Sequence, residues 1–251
     1  MPATPAWPPA SLPRLFVDQM LLADAALPLE GPPANYLANV LRLGLGAQVK
    51  LFDDRTGEWL AEIVEASRKR VSLHVVAHLR PREAVPDLWL LFAPIKRGRI
   101  DWLVEKATEL GAARLVPVLT QRTIVERLNL DRLRAHAVEA AEQCERTALP
   151  ELAEPAKLAA LLAGWPPERI LYFADEGGGE PLLAAAAPGP AAILIGPEGG
   201  FTDQERAAIR ALPQAKPVSL GPRILRADTA AIAALALWMA AAGDWEVPVA
   251  R

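Results

Sequence analysis

The chain holds one cysteine, Cys144, so no intramolecular disulfide can form. A lone thiol is typical of proteins from a reducing compartment, and a cytoplasmic location is expected. Histidine is equally scarce. His74, His78 and His136 have no metal-ligand spacing, and with one cysteine there is no zinc set, so no metal is expected. Positive charge is not in excess either: the formal net charge is -3, which excludes a protein coated in cations but not one with a local basic face. No apolar run is long enough to span a bilayer. The most apolar segment, Ala230 to Gly243, falls short of the roughly 20 residues a span requires, and no membrane partner is expected. Met1 to Ala10 is rich in proline and alanine, with neither a basic start nor an apolar core. It reads as a loose tail and not as a signal peptide. No serine stands in a nucleophile elbow.

Two rhythms divide what is there. Arg14–Val17, Gln48–Phe52, Glu58–Val64 and Arg70–Leu79 are short strand candidates separated by glycine turns, with helical turns over Asn35–Leu43. Strands at this spacing suggest a small barrel over residues 13–80, after a tail of residues 1–12. Pro81 to Asp87 has two prolines and mixed charge and reads as a linker. From Leu88 onward, continuous apolar runs (88–93, 115–119, 170–174) alternate with helical spacing (100–110, 130–147), as in an α/β domain with a parallel sheet over residues 88–251.

Two junctions of that second domain are chemically distinctive. Ile193-Leu194-Ile195 runs into Gly196-Pro197-Glu198-Gly199-Gly200-Phe201, and Thr202 and Glu205 then have capping-box spacing. Val218-Ser219-Leu220-Gly221 runs into Pro222-Arg223-Ile224-Leu225-Arg226-Ala227-Asp228-Thr229 and a long apolar helix from about Ala230 to Ala242. Glycine-ended strands that feed helices place bare backbone beside a cavity at the carboxyl edge of a sheet. Neither junction has dinucleotide-fingerprint or P-loop spacing.

These two strings resemble the RsmE family, S-adenosylmethionine-dependent methyltransferases of the SPOUT superfamily that act on N3 of a uridine in 16S ribosomal RNA. The resemblance continues, in order, through Asn39-Val40-Leu41-Arg42-Leu43, Lys106-Ala107-Thr108-Glu109-Leu110-Gly111 and Glu139-Ala140-Ala141-Glu142-Gln143-Cys144. It implies a PUA-like β-barrel followed by a SPOUT domain whose last segment threads a trefoil knot. It also implies a homodimer formed through that domain and a ribosomal RNA partner, met as an assembled small subunit.

On this reading the methyl donor sits among Ala174, Glu176, Gly196, Pro197, Glu198, Gly199, Leu220, Gly221, Ile224, Leu225 and Ala230. Arg226 would stabilise negative charge on the base. Asp228 would accept a proton or orient the arginine, unless it caps the last helix. Arg14, Arg42, Lys96, Arg97, Arg99, Arg122 and Arg146 are the candidate RNA contacts, and solvated surface is the alternative for each cluster. Gly177-Gly178-Gly179 reads either as pocket wall or as linker. Three positions depart from the family pattern: Asn35-Tyr36 where histidine is common, Glu145 for glycine, and Asp228 for glutamate. A SPOUT enzyme for another rRNA or tRNA nucleotide, a non-catalytic ribosome-assembly factor and a small-nucleotide enzyme remain as other readings.

Overall fold

The computed structural model describes residues 12–67, 69–96, 98–125, 127–175 and 177–246. Residues 1–11 of the N-terminal tail, Arg97 and Glu176 therefore lie outside the described residues. The chain divides into two compact units, one of residues 1–84 with 141–148 and one of residues 85–140 with 149–251.

Unit 1 is a five-stranded sheet of β1 (Arg14–Phe16), β2 (Ala26–Glu30), β3 (Gln48–Phe52), β4 (Glu58–Ala66) and β5 (Arg70–Arg80), ordered β1-β3-β4-β5-β2. β1 runs parallel to β3 and the other pairs are antiparallel. Alternation along the strands sends Val49, Leu51, Ala61, Ile63, Val71, Leu73 and Val75 into one core. Helix α1 (Gly31–Asn35) runs directly into a π-helical turn (Tyr36–Val40). β2 was not anticipated, because Pro28 stands at its centre. It occupies an end of the sheet and pairs only with β5, the position where a strand tolerates a missing N–H.

The segment 141–148 completes this unit. The Arg14 guanidinium donates to the carbonyls of Ala141 (2.7 Å) and Arg146 (2.9 Å) and to Glu58 Oε1 (2.5 Å). Glu83 Oε1 accepts from the Thr147 and Ala148 amides at 2.7 and 3.0 Å. Arg14 and Arg146 are both buried, so neither is placed to meet phosphate as expected; their charges are spent inside the unit. Burial pushes the Arg146 guanidinium below its ordinary range, against the pull of Glu83. Residues 130–147 were expected to be helical, but the helix ends at Gln143, before Arg146.

Unit 2 is built from β6 (Leu88–Phe92), α2 (Arg99–Glu109), β7 (Arg114–Leu119), all but the last three residues of α3 (Leu130–Gln143), β8 (Glu151–Leu152), β9 (Ala156–Lys157), α4 (Leu158–Ala163), β10 (Ile170–Ala174), β11 (Glu180–Pro181), α5 (Leu182–Ala185), β12 (Ala191–Ile195), α6 (Asp203–Arg210), β13 (Ala215–Ser219) and α7 (Ala227–Ala242). Its sheet is parallel throughout, ordered β11-β13-β10-β12-β6-β7-β8, with β9 also on β7. Successive residues of its strands feed opposite cores. Ala191, Ile193 and Ile195 meet α2, α5 and α7, while Ala192 and Leu194 meet α4 and α6. A sheet covered on both faces explains the unbroken apolar runs.

Helix α2 starts at Gly98, whose N–H donates to Asp101 Oδ2, and stops at Gly111, which takes the left-handed φ of +91° expected of a C-terminal cap. In α7, Ala230, Ala231, Ala234, Leu235, Trp238 and Met239 are buried, and Ile232, Ala233, Ala236 and Leu237 are half-buried. No helix among the described residues is long and apolar enough to cross a membrane.

Candidate active site

A cavity of about 690 Å³ opens at the carboxyl ends of β10, β12 and β13 in unit 2. Such an edge of a parallel sheet is where ligands bind in open α/β folds. Two glycine loops form its sides. The first turns at Gly200, with φ +67° and its N–H donating to the Pro197 carbonyl at 2.8 Å. The Thr202–Glu205 capping box then starts α6: Thr202 Oγ1 accepts from the Glu205 amide at 3.2 Å and Glu205 Oε2 from the Thr202 amide at 3.0 Å. Glu205 Oε1 also accepts from the Gln121 amide at 2.7 Å, which ties the loop to the end of β7. Gly196 must be glycine, since a Cβ there would lie 2.7 Å from the Phe201 ring.

The second loop follows β13. Gly221 has φ +111°, and a Cβ there would point into open space. Arg226 is the N-cap residue of α7, and its side chain makes no cap bond. Asp228 is therefore not the cap but a first-turn residue, whose Oδ1 accepts from the Thr229 amide at 2.9 Å. With Arg226, Ala227 and Ala230 all lining the cavity, the positive end of the α7 dipole faces it.

The third side rests on a residue the sequence reading passed over. The Asp175 side chain is fully buried; its Oδ1 meets Arg206 and the Gly177 amide (2.9 Å), and its Oδ2 meets Arg210 at 2.5 Å. Asp175 and Arg206 both line the cavity. Of the adjoining glycines, Gly178 lines the cavity, and its two neighbours are closely packed. A Cβ at Gly179 would stand 2.3 Å from the Pro217 carbonyl oxygen, and one at Gly177 would crowd Asp175 and both arginines. Two successive acids, Asp175 and Glu176, stand between the strand and the three glycines, and the sequence reading singled out only the second.

Of the residues expected around a donor, Ala174, Gly196, Pro197, Glu198, Leu220, Gly221, Ile224, Leu225 and Ala230 line this cavity, and so does Arg226. Ser219, Pro222 and Arg223 line it as well and were not anticipated. Gly199 and Asp228 do not line it. Gly199 faces away from it, in a small recess with Lys96, Arg122 and Ile124, and its carbonyl accepts from Arg122 at 2.6 Å. Substitution at Gly199 is thus a poor probe of the cavity, because a Cβ there meets only ordinary contact with Arg122. Arg99 joins the two sides: its Nη1 lies 3.2 Å from Glu198 Oε1 and its Nε 3.9 Å from Asp228 Oδ2. Lys96, Arg122 and, in unit 1, Arg42 are exposed. Among the described residues no group of three or more His, Cys, Asp or Glu is placed to hold a metal.

Comparison with known proteins identifies the two domains and the family. Residues 81–239 match the RNA methyltransferase domain family, and residues 29–76 match the RNA methyltransferase PUA domain. The chain is 32% identical to ribosomal RNA small subunit methyltransferase E of Synechocystis, over 89% of this chain and 76% of that protein. It is 28% identical to the Rickettsia conorii protein of the same name, over 89% and 93%. Among solved structures, the Neisseria gonorrhoeae ribosomal RNA small subunit methyltransferase E bound to S-adenosyl methionine superposes with a TM-score of 0.86 at 26% identity, covering 93% of this chain and 99% of that one. Two domain matches in order, a shared parallel α/β fold and a relative above 30% identity agree, and this chain belongs to the ribosomal RNA small subunit methyltransferase E family of RNA methyltransferases.

Proposed function

We propose that this protein transfers a methyl group from S-adenosylmethionine to N3 of a uridine in small-subunit ribosomal RNA. The observation that carries the reading is the cavity between two glycine loops, with Arg226 and the start of α7 on its rim. Its volume suits a cofactor-sized ligand. Apolar Ile195, Leu220, Leu225 and Ala230 offer a surface for an adenine ring, and the Glu198 carboxylate complements a cation. The open space before the absent Cβ of Gly221 fits a ligand lying against bare backbone.

The donor, when bound, supplies a methyl group on a positively charged sulfur. The protein must hold the uracil in line with it and favour the deprotonated ring. Arg226 and the positive end of α7 stabilise the negative charge that spreads over the base when N3 loses its proton. Asp228 serves as counter-ion to Arg99 and helps hold Glu198 and α7 in register. Lys96, Arg99 and Arg122 beside the first glycine loop, with Arg42 in the PUA unit, contact RNA phosphates. Calorimetry should show binding of S-adenosylmethionine, and rRNA from a deletion strain should lack one N3-methyluridine. An intact modification map would overturn the uridine assignment.

Gly221→Val is expected to weaken donor affinity at least tenfold in a folded protein. A β-branched side chain at φ +111° is strained, and it projects into the cavity. Calorimetric affinity equal to wild type would remove this loop from the donor site.

The protein acts in the cytoplasm as a homodimer on the assembled small subunit. Half-buried Ile232, Ala233, Ala236 and Leu237 on α7 support a partner along that helix. Leu237→Glu should convert the dimer to a monomer in light scattering. Ala234 is unsuitable for this test because it is buried in its own chain. A wild-type monomer at micromolar concentration with full activity would refute the dimer.

A further inference from the structure

The π-helical turn of unit 1 has no part in the cavity, yet it carries three unusual features together. Its backbone is widened: the Leu41 amide donates to the Tyr36 carbonyl and the Leu43 amide to the Leu37 carbonyl, each at 2.9 Å. Such insertions are rare and concentrate at functional sites. Arg42, two residues after it, takes a left-handed φ of +56°, where glycine or asparagine would rest without strain. Its outward side also carries no acidic residue. Ala34 and Leu37 are fully buried and anchor the turn, while Asn35, Tyr36, Asn39, Val40 and Arg42 are exposed.

Tyr36 and Val40 are four residues apart and share a face, and so are Asn35 and Asn39, whose side-chain amides bond to each other at 2.8 Å. The strip thus sets an aromatic ring and an aliphatic side chain next to an amide pair and a guanidinium. Charge is one-sided as well: from Gly31 to Phe52 there is no acidic residue, in a chain whose net charge is -3. An aromatic surface, amide edges and one cation on an acid-free stretch match the three parts of an unstacked nucleotide.

We propose that this strip seats one unpaired RNA nucleotide, with its base against Tyr36 and Val40, its edge at the Asn35–Asn39 amides and its phosphate on Arg42. The proposal rests on the RNA-methylating reading above and adds to it a base-contacting site in the PUA unit. The strained backbone at Arg42 is retained because it directs a cation to this face.

The test uses the full-length protein and purified small ribosomal subunits lacking the modification. Tyr36→Ala should weaken subunit binding about 5- to 100-fold, the range for losing one base stack, and Tyr36→Phe should stay within about twofold. Arg42→Gly relieves the left-handed strain, so it folds at least as well, and it should lower the log–log salt slope by about 0.7 to 0.9. Donor affinity should be unchanged in all three. Ultraviolet cross-linking followed by mass spectrometry should place a nucleotide on the peptide containing Tyr36. Equal binding by wild type and Tyr36→Ala overturns the strip alone, as does a cross-link from that peptide to a ribosomal protein. Wild-type protein that binds no subunits overturns the RNA reading together with the strip.

Discussion

Asp175→Ala is expected to lower unfolding free energy by roughly 2–4 kcal/mol and to weaken methyl-donor binding. Removing one partner of a buried ion pair strands the other, typically at a cost of about 3–5 kcal/mol. The figure is reduced here because the Arg210 side chain is nearly half exposed and can rehydrate, while Arg206 is 26% exposed. The donor effect comes from the wall itself. Asp175 holds the Gly177 amide at 2.9 Å and joins the end of β10 to α6, so its loss frees one side of the cavity. Asp175→Asn keeps the shape and one acceptor and should fall between. Denaturant unfolding and donor calorimetry on the three proteins measure both effects. A wild-type midpoint in Asp175→Ala would show that the two arginines need no counter-ion.

Glu58→Ala should destabilise unit 1 by about 3 kcal/mol or more, since the Arg14 side chain, 4% exposed, would lose the carboxylate it pairs with. Burial alone would raise the Glu58 pKa, but the hydrogen bond from Arg80 and the nearby Arg14 charge outweigh it and hold the carboxyl below its usual range. Asp53 is likewise lowered, with burial opposed by amide donors from Leu21, Thr56 and Arg55. A carboxyl depressed by folding adds stability that is complete above its unfolded pKa and disappears as pH falls through the folded value. The wild type should therefore lose stability progressively below about pH 5, and Glu58→Gln should show a flatter loss. Parallel acid-unfolding curves for the two would remove Glu58 as a contributor.

What the sequence disclosed was mostly local. β10 was read with its observed bounds because an apolar run between turn formers needs no partner to be recognised, and the Thr202–Glu205 box was legible because both halves lie within one turn. The cavity's glycine loops were found for the same reason. Features that depend on distant residues were not. Asp175 acquires its meaning from arginines 31 and 35 positions away, and Gly179 from the carbonyl of Pro217. Three glycines in a row carry no local mark of such a constraint. The burial of Arg14 and Arg146 was not legible, because a cation's burial cannot be read from its neighbours in sequence. β2 was missed because its proline argues locally against a strand, and only the sheet shows it at an end.

The return of residues 141–148 to unit 1 has a consequence for the order in which the protein is made. When residue 84 leaves the ribosome, Arg14 and Glu83 still lack the carbonyls and amides they will bond, because these belong to a stretch that ends at residue 148. At about 5–20 residues per second, that stretch arrives roughly 3–13 s later. The unit begun first is thus finished only after more than half of the chain exists. Until then Arg14 has its Glu58 partner but not the Ala141 and Arg146 carbonyls, and Glu83 lacks the Thr147 and Ala148 amides, so the unit cannot close as a contiguous domain of the same size could.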